Sequence, residues 1–223
     1  MNQKQQSIQF WNDQFKGIEP VKVDPSQATI DNKLDEYLQR LGNDTHNILD
    51  IACGAGTCLI GAHLLGDNHP QGLGLDASHH AIEFASKTAG LSGLTKLTFQ
   101  EGDETVLESI PSNSYDGIIC SNFLDVIPAS LSEYVISQIK RILAPKGYFL
   151  LKVNFYLTEA LVEKLHMEEI APHTYTMKGI IRAYNLTTDE WLAIFYEWKP
   201  LDIDGFQRAP NLPEDRIIYF QKP

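Results

Sequence analysis

The chain has 223 residues, of which 43% are hydrophobic and 21% charged, and no apolar run reaches the roughly 20 residues that a membrane-spanning helix needs. Its 29 acidic and 18 basic residues give a net charge of −11 at pH 7, which disfavours a nucleic-acid substrate and suits a neutral or cationic small molecule better. Three cysteines do not suggest a disulfide framework, and the polar N-terminus lacks the apolar core of a signal peptide, so we expect a cytoplasmic protein.

Residues 1–45 predict an N-terminal helical extension, which could form a lid on a main domain of residues 46–223. Within the extension, residues 30–41 carry an apolar stripe at helical spacing. Trp11 and Phe15 are candidates for closing over a ligand, although ordinary helix packing explains these aromatic residues equally well.

A glycine-containing loop follows the first predicted strand, at residues 47–51, and leads into a helix predicted over residues 57–65. Gly54 and Gly56 lack a Cβ atom, so a ligand can lie against the loop backbone and φ can be positive there. The first N–H groups of the helix point to the same place, with the positive end of the helix dipole behind them. The loop therefore predicts a site for a nucleotide-like cofactor, without deciding which one.

Acidic residues after the next two strands narrow the choice of cofactor. Residues 71–75 lead to Asp76, whose carboxylate can accept hydrogen bonds from the ribose of a dinucleotide or of S-adenosylmethionine. A dinucleotide fingerprint requires a further glycine where this chain has Leu59, which weakens that alternative without excluding it. Residues 96–100 lead to Asp103, which can accept a hydrogen bond from the exocyclic amine of adenine.

Strands and helices alternate through the central part of the chain. Further strands are predicted at 115–120 and 147–153, and helices at 78–89, with Ser78 as the N-cap, and at 130–143. Such alternation predicts a parallel, doubly wound sheet. Since the carboxyl ends of parallel strands share one edge, the three strand-end acids, which include Asp50, should meet in the crevice where such sheets bind ligands.

In this order the motifs resemble those of the class I S-adenosylmethionine-dependent methyltransferases. The family pattern Asp-x-Gly-x-Gly-x-Gly is matched by Asp50, Gly54 and Gly56, with Ala52 in place of the first glycine. The Leu-x-Pro-Gly-Gly turn before the fifth strand corresponds to residues 143–147, with lysine for one glycine. The matches run in order from about residue 48 to residue 153.

The resemblance implies a fold. We expect an α/β protein with a seven-stranded Rossmann-like doubly wound sheet, mostly parallel with a C-terminal antiparallel hairpin, and helices on both faces. Residues 196–203 and 216–221 are the expected hairpin. A segment inserted at about 156–186 would form the substrate lid together with the N-terminal extension; residues 158–167 predict a helix in it, and the stretch after them has no clear period. Another helix is predicted to begin at Thr187.

The resemblance also implies S-adenosyl-L-methionine as the cofactor and S-adenosyl-L-homocysteine as its product. Asp76 would bind the ribose and Asp103 the adenine, with the backbone of Glu104 beside the ring. The expected cofactor-binding residues are Asp50, Ala52, Cys53, Gly54, Gly56, Asp76, Ala77, Gly102, Asp103, Glu104, Ser121 and Asn122. No metal is expected, because the histidines lack the spacing of metal ligands.

Asp125 is the candidate catalytic residue, as a polar contact to the substrate or a general base. Methyl transfer from a sulfonium needs mainly a well-placed nucleophile and the exclusion of water, and a base only when the nucleophile is poorly acidic. A turn-capping role before Pro128 explains Asp125 about as well. His173, Tyr175 and Tyr184, in the predicted lid, are weaker candidates.

Three functions remain open from the sequence. The favoured one is methyl transfer to an oxygen, nitrogen or carbon atom of a small molecule. A methyltransferase of RNA or protein is the second, and a non-methylating protein, either a nicotinamide-dependent oxidoreductase or a regulator, is the third. Residues 121–124 lack the Asn-Pro-Pro-Tyr type of motif, which argues against the amino-group methyltransferases of adenine and glutamine.

Overall fold

The computed structural model describes residues 3–223. The strands are β1 (Asn47–Ile51), β2 (Gln71–Asp76), β3 (Leu97–Glu101), β4 (Tyr115–Ser121), β5 (Leu143–Val153), β6 (Glu168–Ala171), β7 (Thr174–Met177), β8 (Ile180–Tyr184), β9 (Lys199–Phe206) and β10 (Asp215–Gln221). The α-helices are α1 (Gln3–Phe15), α2 (Lys33–Asp44), α3 (Thr57–Leu65), α4 (His79–Leu91), α5 (Ala129–Ile142), α6 (Glu159–Lys164) and α7 (Thr188–Ile194). Within residues 3–223, no helix has the length and apolar character that crossing a membrane requires.

Seven strands form the main sheet, in the order β3-β2-β1-β4-β5-β10-β9. The pairs among β1 to β5 are parallel, whereas β10 runs antiparallel to both β5 and β9. The direction in which strands are added reverses between β1 and β4, and open α/β sheets bind ligands beyond the carboxyl ends of the strands at such a point. The predicted Rossmann-like sheet with its C-terminal antiparallel hairpin is confirmed.

The sheet is buried on both faces, because alternate residues of each central strand enter different clusters of the core. On one face, Phe149 of β5 packs with Phe195 and Trp198 at ring-centroid distances of 5.3 and 5.8 Å, under α5 and α7. On the other face, Ile48 and Leu150 pack under α2 and α3. Each apolar side chain that is fully buried in this way contributes about 1.5–3 kcal/mol to the free energy of unfolding.

The two helices of the predicted N-terminal extension have different surroundings. α2 begins after Asn32, which forms a capping box with Asp35, so the helix starts later than the predicted residue 30. It buries Leu38 and Leu41 and approaches α3 so closely at Gly42 that a Cβ atom there would overlap the carbonyl oxygen of Ala62. In α1, by contrast, no residue is fully buried.

The segment predicted as an inserted lid contains more regular structure than the sequence indicated. After α6 it forms a three-stranded antiparallel sheet in the order β6-β7-β8. The inward positions of β7 are Thr174 and Thr176, which are 4% and 3% exposed. The alternation of polar and apolar residues in β7 is therefore inverted, because the buried positions are polar while Tyr175 and Met177 are only half-buried.

Candidate active site

A cavity of about 300 Å³ lies at the carboxyl ends of β1, β2 and β4, at the point where the strand order reverses. This volume is at the lower end of the range for small-molecule pockets. One wall belongs to α1, whose cavity-lining residues are Gln3, Lys4, Ser7, Ile8, Trp11 and Phe15. Their spacing of mostly three or four places them on one face of the helix.

The loop between β1 and α3 has a left-handed backbone at three positions. Ala52, Gly54 and Gly56 have φ angles of 57°, 52° and 75°. The turn is closed by hydrogen bonds from the Cys53 N–H to the Leu75 carbonyl and from the Gly56 N–H to the Cys53 carbonyl, both at 2.9 Å. Alanine therefore adopts at position 52 a conformation that is easier for glycine.

The two glycines of this loop have different tasks. Gly54 lines the cavity, and the ring of Phe15 from α1 lies 3.6 Å from the place that a Cβ atom on Gly54 would take. Gly56 does not line the cavity, in contrast to the expected role in binding. A Cβ atom there would lie 2.5 Å from the ring of Phe99, so this glycine allows close packing between the start of α3 and β3.

Asp76 connects the loop to the end of β2. One carboxylate oxygen accepts a hydrogen bond from the Gly54 N–H and the other from the Ser78 N–H, each at 2.8 Å. Burial raises the pKa of Asp76, while these two backbone bonds act in the opposite direction. The carboxylate thus fixes the loop and still lines the cavity.

Asp50 is the most deeply buried acid at the cavity, with 1% of its surface exposed. Burial raises the pKa of its carboxyl to about 8, with a backbone hydrogen bond from Leu59 opposing the shift. Its Oδ2 atom has no hydrogen-bond partner among the described residues. Because an unpaired buried acceptor costs about 1–3 kcal/mol, this atom is suited to a ligand that donates a hydrogen bond or carries a positive charge.

Asp103 and Glu104, which follow β3, are both paired with Lys4 of α1. The Lys4 Nζ atom lies 2.7 Å from Oδ2 of Asp103 and 2.6 Å from Oε1 of Glu104. The other oxygen of Asp103 accepts hydrogen bonds from the hydroxyl and the backbone N–H of Thr105, at 2.6 and 3.1 Å. The bonds from Lys4 and then Thr105 lower the pKa of Asp103 to about 2, so it is ionised at neutral pH.

The end of β4 supplies Ser121 and Asn122, which also line the cavity. Asn122 has a left-handed φ of 52° and donates its N–H to the Lys152 carbonyl at 2.7 Å. Its Oδ1 accepts a hydrogen bond from the Lys152 ammonium, so its Nδ2 points away from that cation; this Nδ2 has no partner among the described residues. The strand end is therefore held to β5 through both backbone and side chain.

The match to a known family agrees with this geometry. A family model described as a methyltransferase domain matches residues 43–197, which is more than half of the chain. The chain belongs to this methyltransferase family. The predicted enzyme class is thereby confirmed.

Relatives of this methyltransferase are similar in sequence or fold. The uncharacterized methyltransferase YcgJ of Bacillus subtilis is 28% identical over 187 residues, covering 77% of this chain and 68% of the relative. A SAM-dependent methyltransferase from Archaeoglobus fulgidus has a TM-score of 0.62 at 15% identity, covering 85% of this chain and 93% of that one. The third relative is the Burkholderia thailandensis 1,6-didemethyltoxoflavin-N1-methyltransferase, solved with 1,6-didemethyltoxoflavin and S-adenosylhomocysteine bound. It has a TM-score of 0.66 at 14% identity, covering 86% of this chain and 79% of that one.

The structure does not bring Asp125, the candidate catalytic residue, to the cavity of the methyltransferase. Its side chain is 3% exposed, and one oxygen accepts hydrogen bonds from the backbone and side-chain nitrogens of Asn154, at 2.7 and 2.6 Å. Its backbone carbonyl accepts the N–H of Tyr184 at 2.6 Å. Asp125 thus ties the end of β4 to β5 and β8, a structural task nearer to the turn-capping alternative. His173, Tyr175 and Tyr184 also lie outside the cavity lining.

All the predicted cofactor-binding residues except Gly56 line the cavity. Many further residues that the sequence did not predict line it too. Many of the missed residues are apolar and form the apolar wall of the cavity: Leu107, Phe123, Val126, Ile127, Pro128, Leu131 and Ile181. No sequence motif distinguishes these apolar cavity residues from apolar residues of the core. The cavity-lining residues in the first turns of α1 were not predicted either. They precede Trp11 and Phe15 at intervals of three and four residues, which is the spacing of one helix face.

Proposed function

We propose that this methyltransferase transfers the methyl group of S-adenosylmethionine to an oxygen, nitrogen or carbon atom of a small molecule. The observation that carries the proposal is the row of carboxylates at the sheet edge, since Asp50, Asp76 and Asp103 all line one cavity. A cytoplasmic location, expected from the cysteine count and the polar N-terminus, is part of the proposal.

The residues present fit an adenosyl cofactor. The unpartnered Oδ2 of Asp50 suits the ammonium group at the methionine end. Each oxygen of Asp76 accepts one backbone hydrogen bond and keeps a lone pair for the ribose hydroxyls. Asp103 is ionised and can accept a hydrogen bond from the adenine amine, and Gly54 lets the ligand approach the loop backbone.

Catalysis in this cavity needs positioning more than acid–base chemistry. When bound, S-adenosylmethionine supplies a methyl group on a positively charged sulfur, which leaves as a thioether. The chain has to hold the nucleophile in line with that methyl group and keep water away, which the apolar wall and the face of α1 do. The acids around the cavity favour the binding of a cationic donor. Since Asp125 lies outside the cavity, we assign no general base.

Two observations support a small acceptor. The cavity is bounded by α1 on one side, which limits the space for a macromolecular substrate, and the net charge of −11 disfavours nucleic acid. The Burkholderia enzyme, which is similar in fold, was solved with 1,6-didemethyltoxoflavin bound. The acceptor proposed here is therefore neutral or cationic and largely apolar.

The first test compares ligands by thermal stabilisation. A ligand that binds only the folded state raises the melting temperature as its concentration exceeds its dissociation constant. We expect S-adenosylmethionine and S-adenosylhomocysteine to stabilise the protein, and NAD and NADP to have no effect. Stabilisation by NAD alone would contradict the proposal and favour an oxidoreductase.

A variant then tests the site itself. Asp76→Ala removes the acceptor assigned to the ribose, so titration calorimetry should show an affinity for S-adenosylmethionine that is weaker by about tenfold or more. Asp189→Ala, which removes an exposed acid at the start of α7, is the matched control and should bind normally. Equal affinity of both variants would exclude Asp76 from the cofactor site.

A further inference from the structure

α1 lies on the surface of the protein, where it packs against α4 and β8. No residue of the helix is fully buried, and the segment of residues 16–32 that connects it to α2 is mostly exposed. Two hydrogen bonds hold this segment to the C-terminal part of α4 and the residue after it, from the Val21 N–H to the Thr88 hydroxyl and from the Val23 N–H to the Ser92 hydroxyl. The helix can therefore leave its place without exposing a large buried core.

The contacts that hold α1 in place include polar and aromatic ones at both ends of the helix and on its side. At its N-terminal end, Lys4 pairs with Asp103 and Glu104. In its last turn, Asn12 accepts hydrogen bonds from the start of α4. On the side facing β8, the guanidinium of Arg182 lies 5.3 and 5.8 Å from the ring centroids of Phe10 and Trp11.

The contact made by Lys4 differs from the others because its partners belong to the cavity. Lys4, Asp103 and Glu104 all line the cavity, and the two acids follow β3, at the end that we assign to adenine. The side chains are partly exposed, at 32% for Lys4 and 34% for Asp103. The same carboxylate is thus a holding point for α1 and a proposed contact of the cofactor.

We propose that Lys4 is a positioning residue that holds α1 closed over the cavity, and that it thereby controls how fast an adenosyl cofactor enters and leaves. This inference rests on the proposed function for its cofactor, although the holding of α1 by Lys4 is a property of the ligand-free protein. Because α1 forms a wall of the cavity, a ligand enclosed there leaves when the helix detaches.

The proposal predicts a particular dependence on salt. Ion pairs that are partly exposed are screened by added salt, whereas aromatic and backbone contacts are affected much less. Raising the NaCl concentration should therefore loosen α1 in the wild-type protein. The same change should have little further effect once Lys4 has been replaced by glutamine.

The experiment compares wild type with Lys4→Gln, Lys4→Arg and Lys16→Gln. Lys16 is an exposed residue directly after α1, so its replacement removes the same charge without the contact. Hydrogen exchange of the amides of residues 3–15 in the ligand-free protein measures detachment of the helix. Dissociation of S-adenosylhomocysteine, followed by stopped-flow fluorescence of Trp11, measures the consequence for the ligand.

We expect both rates to rise by about two- to fivefold in Lys4→Gln, to depend much less on salt, and to be restored largely by Lys4→Arg. Lys16→Gln should behave like wild type, and the melting temperatures of the ligand-free proteins should agree within about 2 °C.

Unchanged exchange in Lys4→Gln would overturn the assignment of Lys4. Faster exchange with unchanged dissociation would overturn its link to the cofactor. Absence of binding by wild type would instead contradict the proposed function, while the exchange rates still decide whether Lys4 holds the helix.

Discussion

The Nζ atom of Lys152 lies 2.7 Å from Oδ2 of Asp215, and the side chains of both residues are almost completely buried, at 3% and 0% exposure. The pair joins β5 to the start of β10. Lys152 also donates to the side chain of Asn122 at the cavity, and Arg208 lies 2.8 Å from the same oxygen of Asp215. This buried network therefore connects the C-terminal hairpin to the wall of the active site.

Lys152→Met should destabilise the protein, because it leaves the carboxylate of Asp215 buried with only Arg208 as its cationic partner. Breaking one side of a buried ion pair costs about 3 kcal/mol in the free energy of unfolding, which urea denaturation measures. Lys199→Met, at an exposed position of β9, is the control and should change the same quantity by less than about 0.5 kcal/mol. If both variants lowered the free energy of unfolding equally, the buried ion pair would not stabilise the protein more than an exposed lysine does.

Two glycine-to-alanine substitutions in helices should have opposite effects. At Gly42 of α2 a Cβ atom would overlap the backbone of α3, so Gly42→Ala should lower the free energy of unfolding by about 2 kcal/mol in spite of the better helix propensity of alanine. At Gly90 of α4 a Cβ atom meets nothing within 4 Å, so Gly90→Ala should raise it by about 0.5–1 kcal/mol. Urea denaturation checks both, and a stabilised Gly42→Ala protein would contradict the observed approach of α2 to α3.

The strand ends and the loop of the site could be predicted from sequence because their chemistry lies in short, contiguous motifs. A buried strand followed by a glycine-containing loop, and acids directly after strands, are visible without knowledge of the fold. Asp50 lies in β1 and Asp103 follows β3, yet parallel topology alone brings them to one edge. The same logic was misleading at Asp125, because a position near a strand end does not determine the direction in which a side chain points.

The remaining wall of the cavity could not be predicted, because it depends on tertiary packing. Ile181 reaches the cavity from β8, which belongs to a small sheet whose middle strand, β7, buries threonines instead of apolar residues. Lys4 lies almost a hundred residues from Asp103 in the sequence, and nothing in a run of glutamines and a lysine predicts an ion pair with it. Ion pairs between residues so distant in sequence can be recognised only once the tertiary structure is known.

Ala52→Gly should stabilise the protein, since alanine has a φ of 57° at this position of the loop. A left-handed conformation costs a residue with a Cβ atom about 1–2 kcal/mol, part of which is offset by the greater freedom of glycine in the unfolded chain. The expected net gain in the free energy of unfolding is about 0.5 kcal/mol. Ala193→Gly, at an exposed position of α7, should instead lower the free energy of unfolding by about 1 kcal/mol. Urea denaturation of both variants provides the comparison.

Binding of S-adenosylmethionine should release a proton from Asp50. Burial raises the pKa of this carboxyl to about 8, so it is largely protonated in the ligand-free protein at pH 6–7. A ligand ammonium beside the unpartnered Oδ2 favours the ionised form, lowers the pKa and drives the proton into solvent. Since the bound state then holds fewer protons than the free state, the affinity should increase as the pH rises from about 5.5 to 7.

Calorimetry can detect this proton directly, because the observed binding enthalpy then depends on the ionisation enthalpy of the buffer. Titrations of wild type at pH 6.5 in phosphate and in imidazole should differ by an amount that corresponds to about one proton per site if Asp50 ionises fully. Asp50→Asn keeps the shape of the side chain and cannot ionise, so its titrations should agree in the two buffers and its affinity should vary less with pH. A buffer dependence that persists in Asp50→Asn would assign the proton to another group, and Asp76, whose pKa is also raised by burial, would be the next to replace.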